Sequence, residues 1–514
     1  MTSPRRAVLL LSALALLVSG CSSSDKLPEP QATLTPSPIA SSGPDASASA
    51  EPSLARFYAQ KLTWKKCRDT DECSTLTVPL DYSEPGGRVI KLSLLKVPAR
   101  DGKRRVGSLV VNPGGPGGSG VDYAASGASS FGSELLASFD IVGFDPRGVG
   151  TSTPLKCEGT DRLDALIASD PDPDSAAELK NSDGLLRRLG TDCVRESGAL
   201  VRHMSTIEVA KDVDVLRAAL GDRKLSYFGA SYGTFIGATY ADLFPTHVGR
   251  MVLDGALDPS TSTLDQGLVQ AKGFETALRA YVGACVDRGG CFLGDSVDAG
   301  TQRIRAFLDA VEKKPLPSAG TRDLEVGNAL LGVWLPLYNK SYWPILDSAL
   351  KAAFGGSGAQ LMTLADAYTS RGPDGYTDNS LEALYAVNCL DHDDSIPSSE
   401  VAKYEPRFLK ASPTFGRVFA YGLSGCESWP VHSGEQPHLV EAKGAAPIMV
   451  VGTTRDPATP LVWAESLADQ LDSGVLVKRD GDGHTGYHSG NSCVDTTVES
   501  YLVQGQVPQA EVDC

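Results

Sequence analysis

Ser231 stands in Gly229-Ala230-Ser231-Tyr232-Gly233, directly after the apolar run 225–228 and directly before the helix-period stretch 234–243. A serine between small residues on a strand-to-helix turn is a nucleophile elbow. The chain reverses too sharply for Cβ atoms at 229 and 233, and the helix amino-terminus favours negative charge beside the serine. The chemistry available to such a serine is acyl transfer. It needs a base to take the hydroxyl proton, an acid to orient the base, and donors for the oxyanion.

Each of these can be sought by position. Upstream, the strand-like run ending at Val111 opens into Asn112-Pro113-Gly114-Gly115-Pro116-Gly117-Gly118-Ser119, whose glycines leave backbone N–H groups free to face a ligand. Gly115 is the expected loop donor, with Gly114 the alternative, and the N–H of Tyr232 is the second donor. A phosphate-loop reading is weaker because no GK[ST] follows. Of seven histidines, His484 lies in Asp480-Gly481-Asp482-Gly483-His484 just beyond the run 475–477, where the base of this chain order belongs; His488 is the fallback. The acid is expected at the tip of the preceding strand, at Asp456, whose structural alternative is a helix cap before Thr459-Pro460. Asp254 and Asp258 follow an earlier strand and rank below it.

The elements that must position these groups are also readable. Apolar runs at 106–111, 141–144, 225–228, 251–253, 448–451 and 474–477 alternate with helix-period stretches, which predicts an α/β fold with a doubly wound, mostly parallel sheet. Thr206 is placed to cap a helix carrying Val209, Val213, Leu216 and Leu220, and Gly221 to end it. Between Leu257 and Lys443 lies far more chain than the roughly 15 residues that an ordinary connection uses. A helical cap is expected there. Its stretch 330–350, with Trp334, Tyr338, Tyr342 and Trp343, would roof the Ser231 pocket or pack the cap's own core.

The chain's 514 residues carry 47 Lys and Arg against 63 Asp and Glu, a net charge of −16, which excludes a basic nucleic-acid footprint. Arg5 and Arg6 precede an apolar run at 7–18, too short for a membrane span, that reads as an export signal. Val18-Ser19-Gly20-Cys21 resembles a bacterial lipobox, so Cys21 is the expected lipidation site. Residues 21–55 read as a disordered Ser/Pro/Ala tether. The other ten cysteines, Cys67, Cys73, Cys157, Cys193, Cys285, Cys291, Cys389, Cys426, Cys493 and Cys514, suit five disulfides in an oxidising compartment, and sequential pairing closes short loops. No metal site is expected, since no CxxC or HExxH spacing occurs.

Trp64-Lys65-Lys66-Cys67, Val78-Pro79-Leu80-Asp81-Tyr82, the 112–120 loop, Asp145-Pro146-Arg147-Gly148-Val149-Gly150-Thr151-Ser152, the Ser231 elbow and the 452–460 segment occur together and in order. From about residue 56 onward the chain resembles the secreted tripeptidyl aminopeptidase branch of the proline iminopeptidase-like α/β-hydrolases. Pro113 departs from the His that opens the HGGPG loop of proline iminopeptidases, as in the tripeptidyl branch. The resemblance implies a serine peptidase without cofactor, releasing short peptides, expected to be tripeptides, from free amino-termini. The expected organisation is a signal at 1–20, core segments at 56–257 and 444–514, and a cap at 258–443. An acid in the cap would bind the substrate amine, and Asp391 in Asn388-Cys389-Leu390-Asp391 is the expected anchor. The protein is expected to be an exported monomer, either secreted or held at the bacterial cell membrane by its lipid alone. An esterase or lipase using the same triad is the alternative, and a non-enzymatic peptide-binding lipoprotein a further one.

Overall fold

The computed structural model describes residues 34–39, 51–68, 70–157 and 159–514. Its centre is a ten-stranded sheet in the order β1-β2-β3-β5-β4-β6-β7-β10-β11-β12. The strands are β1 (Lys65–Arg68), β2 (Asp71–Pro79), β3 (Val89–Val97), β4 (Gly107–Asn112), β5 (Phe139–Phe144), β6 (Leu225–Ala230), β7 (Val248–Asp254), β10 (Ile448–Arg455), β11 (Gly474–Asp482) and β12 (Val512–Asp513). A separate hairpin, β8 (Arg371–Gly372) and β9 (Gly375–Tyr376), lies within the long insertion. From β5 through β12 every neighbour in the sheet is parallel, whereas β1, β2 and β3 pair antiparallel with one another and β3 with β5. All residues of β4, β6 and β7 are buried, as central parallel strands covered on both faces must be.

The six strands expected from apolar runs are present, and their carboxyl ends carry the loops that matter here. The helix Thr206–Leu220 ends at Gly221 in a left-handed conformation, φ 82°. Its start differs from expectation: Ser205 occupies the cap position, and the Thr206 hydroxyl turns away to donate to Asp391. The 330–350 stretch is broken into Val326–Trp334, the short turns Leu335–Tyr338 and Lys340–Tyr342, and Trp343–Phe354. Pro336 cannot continue a helix, and Pro344 suits only the first turn of the next.

The signal and the lipidation site Cys21 lie outside the described residues. The expected tether is corrected where it is described. Ser37 donates its N–H to Val503, and the buried Arg250 guanidinium donates to the carbonyls of Ser37 and Pro38 as well as Leu502 and Val503. Pro52–Leu54 and Ala55–Tyr58 are helical, with Leu54, Phe57 and Tyr58 in the core. A single buried cation and three large side chains supply what a purely Ser/Pro segment lacks. All five disulfides pair consecutive cysteines: 67 with 73, 157 with 193, 285 with 291, 389 with 426 and 493 with 514.

Arg147 is the most heavily bonded cation of the core. It is fully buried and donates to both oxygens of Asp212, to Glu208, and to the carbonyls of Pro79, Leu80 and His203, while the Tyr82 hydroxyl donates to Asp212. This locks the loops after β2 and β5 to the helix Thr206–Leu220. Removing one partner of a buried pair strands the other charge. Arg147→Met is therefore expected to destabilise the fold by about 3–5 kcal/mol, read as a clear fall in the thermal unfolding midpoint.

Candidate active site

The elbow has the geometry that its sequence demanded. Ser231 sits at φ 56° and ψ −128°, a conformation that costs a β-carbon-bearing residue energy and is held by its surroundings. Its N–H donates to the Asp254 carbonyl at 2.9 Å, and its own carbonyl accepts from the Thr234 N–H and hydroxyl. The flanking glycines are required by space. A Cβ at Gly229 would lie 2.3 Å from the Gly233 oxygen, and one at Gly233 would lie 2.6 Å from the Asn112 oxygen. Tyr232 begins the helix Tyr232–Leu243, so its N–H has no intrahelical acceptor.

The glycine loop after β4 lies against this turn. A Cβ at Gly114 would come within 2.7 Å of the Tyr232 nitrogen and 3.0 Å of the Ser231 Cβ. The Gly114 N–H is already bonded to Asn112 Oδ1 at 2.9 Å, which leaves Gly115 as the better-placed donor of the two. The loop is fixed from beneath by Asp145, at the end of β5. One oxygen of Asp145 accepts from the Ser119 hydroxyl and the Val121 N–H, the other from the N–H and hydroxyl of Thr151.

Asp456 and His484 meet beyond β10 and β11. His484 Nδ1 lies 2.9 Å from each oxygen of the buried Asp456. Asp456 also accepts from the N–H groups of Ala458, Thr459 and Thr485 and from the Thr459 hydroxyl. The expected helix-capping contacts and the imidazole contact thus coexist on one carboxylate. With Nδ1 engaged, Nε2 is the ring atom left to take a proton. Burial pushes the His484 pKa down, but the charge and hydrogen bond of Asp456, with a smaller contribution from Asp254, outweigh it and the net shift is upward. A Cβ on Gly255 would lie 3.4 Å from His484 Cε1, so the ring stands at the end of β7, whose Asp254 carbonyl holds Ser231.

Three residues contribute in ways that the sequence reading did not assign to them. The Thr459 hydroxyl lies 3.2 Å from His484 Nδ1 while donating to Asp456. Asp254 is buried and accepts from the N–H groups of Gly486 and Tyr487 at 2.7 and 2.9 Å, fixing the loop that carries His484; burial pushes its pKa up to about 6. Tyr338, from the insertion, accepts the His484 backbone N–H on its carbonyl at 2.8 Å and sets its ring edgewise against the imidazole at 5.3 Å. Of the four aromatics expected to form the roof, Tyr338 alone has this contact. Trp334 packs on Phe274, Phe415 and Phe419, Trp343 packs on Tyr281, and Tyr342 is exposed. His488 is turned elsewhere, with Nδ1 on the Ser129 carbonyl.

Asp391 is not brought to Ser231 as a free carboxylate. It is buried at the end of the helix Ser380–Asp391, its two oxygens accepting the N–H and hydroxyl of Thr206 at 2.8 and 2.6 Å. The Thr206 hydroxyl in turn meets the Tyr232 phenol. This acid therefore braces the floor behind the elbow.

Over nine-tenths of its length the chain is similar to named proteins. Serine protease Hip1 of Mycobacterium tuberculosis is 36% identical over 489 residues, covering 90% of this chain and 92% of that protein. Carboxylesterase B of the same species is 37% identical over 477 residues, covering 90% and 91%. Tripeptidyl aminopeptidase of Streptomyces lividans is 30% identical over 477 residues, covering 90% and 88%. The family described as TAP-like protein matches residues 412–514, the stretch that includes Asp456 and His484.

A base must be neutral to accept a proton, so the raised His484 pKa fixes the sign of a pH profile. For hydrolysis dependent on this imidazole, kcat/KM is expected to rise with pH through a midpoint above 6.5, the ordinary histidine value. Asp254→Asn removes one of the charges that stabilise the imidazolium and should move that midpoint to lower pH. Profiles of both proteins check this, and an unmoved midpoint would remove Asp254 from the account.

Proposed function

The chain belongs to the TAP-like family of serine α/β-hydrolases, and from that premise we propose that it is an exopeptidase releasing short peptides, with tripeptides the expected product, from free amino-termini. The observation that carries the reading is the Asp456–His484 pair standing at the same sheet end as the Ser231 elbow. Two of the similar proteins named above are a serine protease and a tripeptidyl aminopeptidase.

In the proposed reaction His484 Nε2 takes the Ser231 proton as the hydroxyl oxygen attacks the scissile carbonyl. Asp456 keeps Nδ1 protonated and stabilises the imidazolium, with Thr459 holding the carboxylate in place. The N–H groups of Gly115 and Tyr232 meet the oxyanion, worth about 3–4 kcal/mol for one such donor. The imidazolium then protonates the leaving amine, and water, activated by the same ring, releases the peptide acid from Ser231. The chemistry needs no cofactor.

Five disulfides suit an oxidising compartment, which supports export; the signal at 1–20 and lipidation at Cys21 rest on the Val18-Ser19-Gly20-Cys21 sequence. No helix among the described residues is long and apolar enough to cross a membrane. The proposed arrangement is a monomer held at the outer face of the cell membrane by its lipid, acting on peptide and protein amino-termini.

The similarity to a carboxylesterase favours one competing reading, an esterase with the same triad. A single panel separates them: a chromogenic tripeptide amide with a free amino-terminus, its acetylated twin, and a short acyl ester, each with wild type and Ser231→Ala. Cleavage of the free-amine peptide well ahead of its twin, lost by at least about a thousandfold in Ser231→Ala, is the expected result. Ester turnover without peptide turnover would replace the peptidase reading by the esterase one.

A further inference from the structure

The helix Ser380–Asp391 of the insertion is bonded to the core at both ends, and each end meets one of the two segments expected to bind the oxyanion. At its start the Asn379 amide donates to the carbonyls of Gly148 and Leu155 at 2.8 and 2.9 Å and accepts the Gly150 N–H at 2.9 Å. The Ser380 carbonyl packs so closely on Gly117, two residues beyond Gly115, that a Cβ on Gly117 would lie 2.4 Å away. Asp391 stands at the other end of these 12 residues, about 18 Å along the axis. The bridge from Cys389 to Cys426 ties that end to the rest of the insertion.

The Asp391 carboxylate makes two kinds of contact, and helix capping explains only one. Ser205 caps the helix Thr206–Leu220 without a side-chain hydrogen bond, and Asp391 supplies the missing acceptor by taking the Thr206 N–H at 2.8 Å. Its second oxygen takes the Thr206 hydroxyl at 2.6 Å, and a hydroxyl has one proton to give. The Tyr232 phenol, which also meets Thr206 Oγ1, is therefore the donor in that contact. Burial and the nearby Asp391 charge push the phenol pKa well up, so it keeps the proton that it donates. The result is a directed chain from Tyr232 through Thr206 to Asp391, with all three residues buried. An apolar tie runs beside it: the Phe235 ring packs edgewise on Tyr232 and stacks on His392, with centroids 6.3 Å apart in each pair.

We propose that Asp391 is a positioning residue for acyl transfer, holding the Tyr232 N–H at the oxyanion through Thr206 while the far end of its helix holds the Gly115 loop. The spacing of the two donors is then set by a rigid element of the insertion as well as by the sheet. Tyr232 is the first residue of its helix, so the direction of its N–H follows the tilt of that turn. A phenol fixed by Thr206 and a backbone fixed by the elbow remove this freedom. A donor serves the oxyanion only within about 2.7–3.1 Å of where the charge develops, so a small displacement lowers the rate and leaves substrate binding alone. The assignment rests on acyl transfer at Ser231 and holds for peptide and ester alike.

The test uses the full chain and whichever of the tripeptide amide and the acyl ester wild type cleaves, with unfolding midpoints to confirm that each variant is folded. Tyr232→Phe leaves the Asp391 cap intact and is expected to lower kcat about three- to tenfold, the net effect of one hydrogen bond, with KM within about twofold. Thr206→Val should match it, Thr206→Ser should restore kcat, and Asp391→Asn should lower both kcat and the unfolding midpoint. A trifluoromethyl ketone analogue of the substrate, whose adduct with Ser231 carries the oxyanion, should inhibit each variant less in step with kcat/KM. Asn379→Ala loosens the helix at its other end, and its effect combined with Tyr232→Phe is expected to fall short of the product of the two. A folded Tyr232→Phe protein with wild-type kcat and inhibitor affinity, or a loss confined to KM, overturns the positioning role and leaves Asp391 a helix cap. Fully multiplicative effects of Asn379→Ala and Tyr232→Phe overturn the single brace. Activity retained in Ser231→Ala removes acyl transfer at that serine and the positioning role with it.

Discussion

The parallel register of β7 with β10 is the constraint on which the site depends. Ile448 lies opposite Met251 and Val451 opposite Asp254, and the Gly255 N–H continues the pairing to the Val451 carbonyl. These contacts join segments nearly 200 residues apart in the chain. They bring the strand that ends at Asp456 beside the one whose last carbonyl holds Ser231. Parallel neighbours present their carboxyl ends together, so every loop that contributes chemistry emerges on one side. The insertion can be as long as it is because it only has to leave and return at adjacent strand ends.

The strand ends share a second device. Asp145 after β5, Asp254 ending β7 and Asp456 after β10 each accept several N–H or hydroxyl donors from loops at this end of the sheet, converting flexible connections into fixed ones. Chemically the three carboxylates are the same. What separates Asp456 from the others is one further donor, the imidazole of His484, and the position of that donor is itself set by Asp254 through Gly486 and Tyr487. The insertion adds the remaining wall through Tyr338 and the turn at Ser380, so the roof and the catalytic loops are bonded to each other directly.

What was legible in the sequence was what is local. The elbow, the glycine loop and the tips of β10 and β11 announce themselves through turn chemistry within a few residues, and the buried central strands through unbroken apolar runs. β2 and β3 were passed over because they face solvent on one side, so polar residues such as Lys91 and Ser93 interrupt them. Thr459 was read as a helix opener because its second contact, to His484, comes from 25 residues further on. Asp391 was misplaced for a similar reason. An acidic motif in the insertion says nothing about which end of its helix meets the core, and the partner that consumes it, Thr206, lies 185 residues earlier.

The disulfide pattern has a consequence for biogenesis. Every bridge joins neighbouring cysteines in the chain, and none links the insertion to either part of the sheet. In a polypeptide threaded outward from its amino end, each thiol emerges just behind the one it must meet. Counting from Cys67, an oxidant that simply couples each first cysteine to the next arrival yields all five bridges. Such a chain can mature without an isomerase to reshuffle its bridges, while the joining of β7 to β10, which no covalent link enforces, is left entirely to strand pairing after the last segment has crossed.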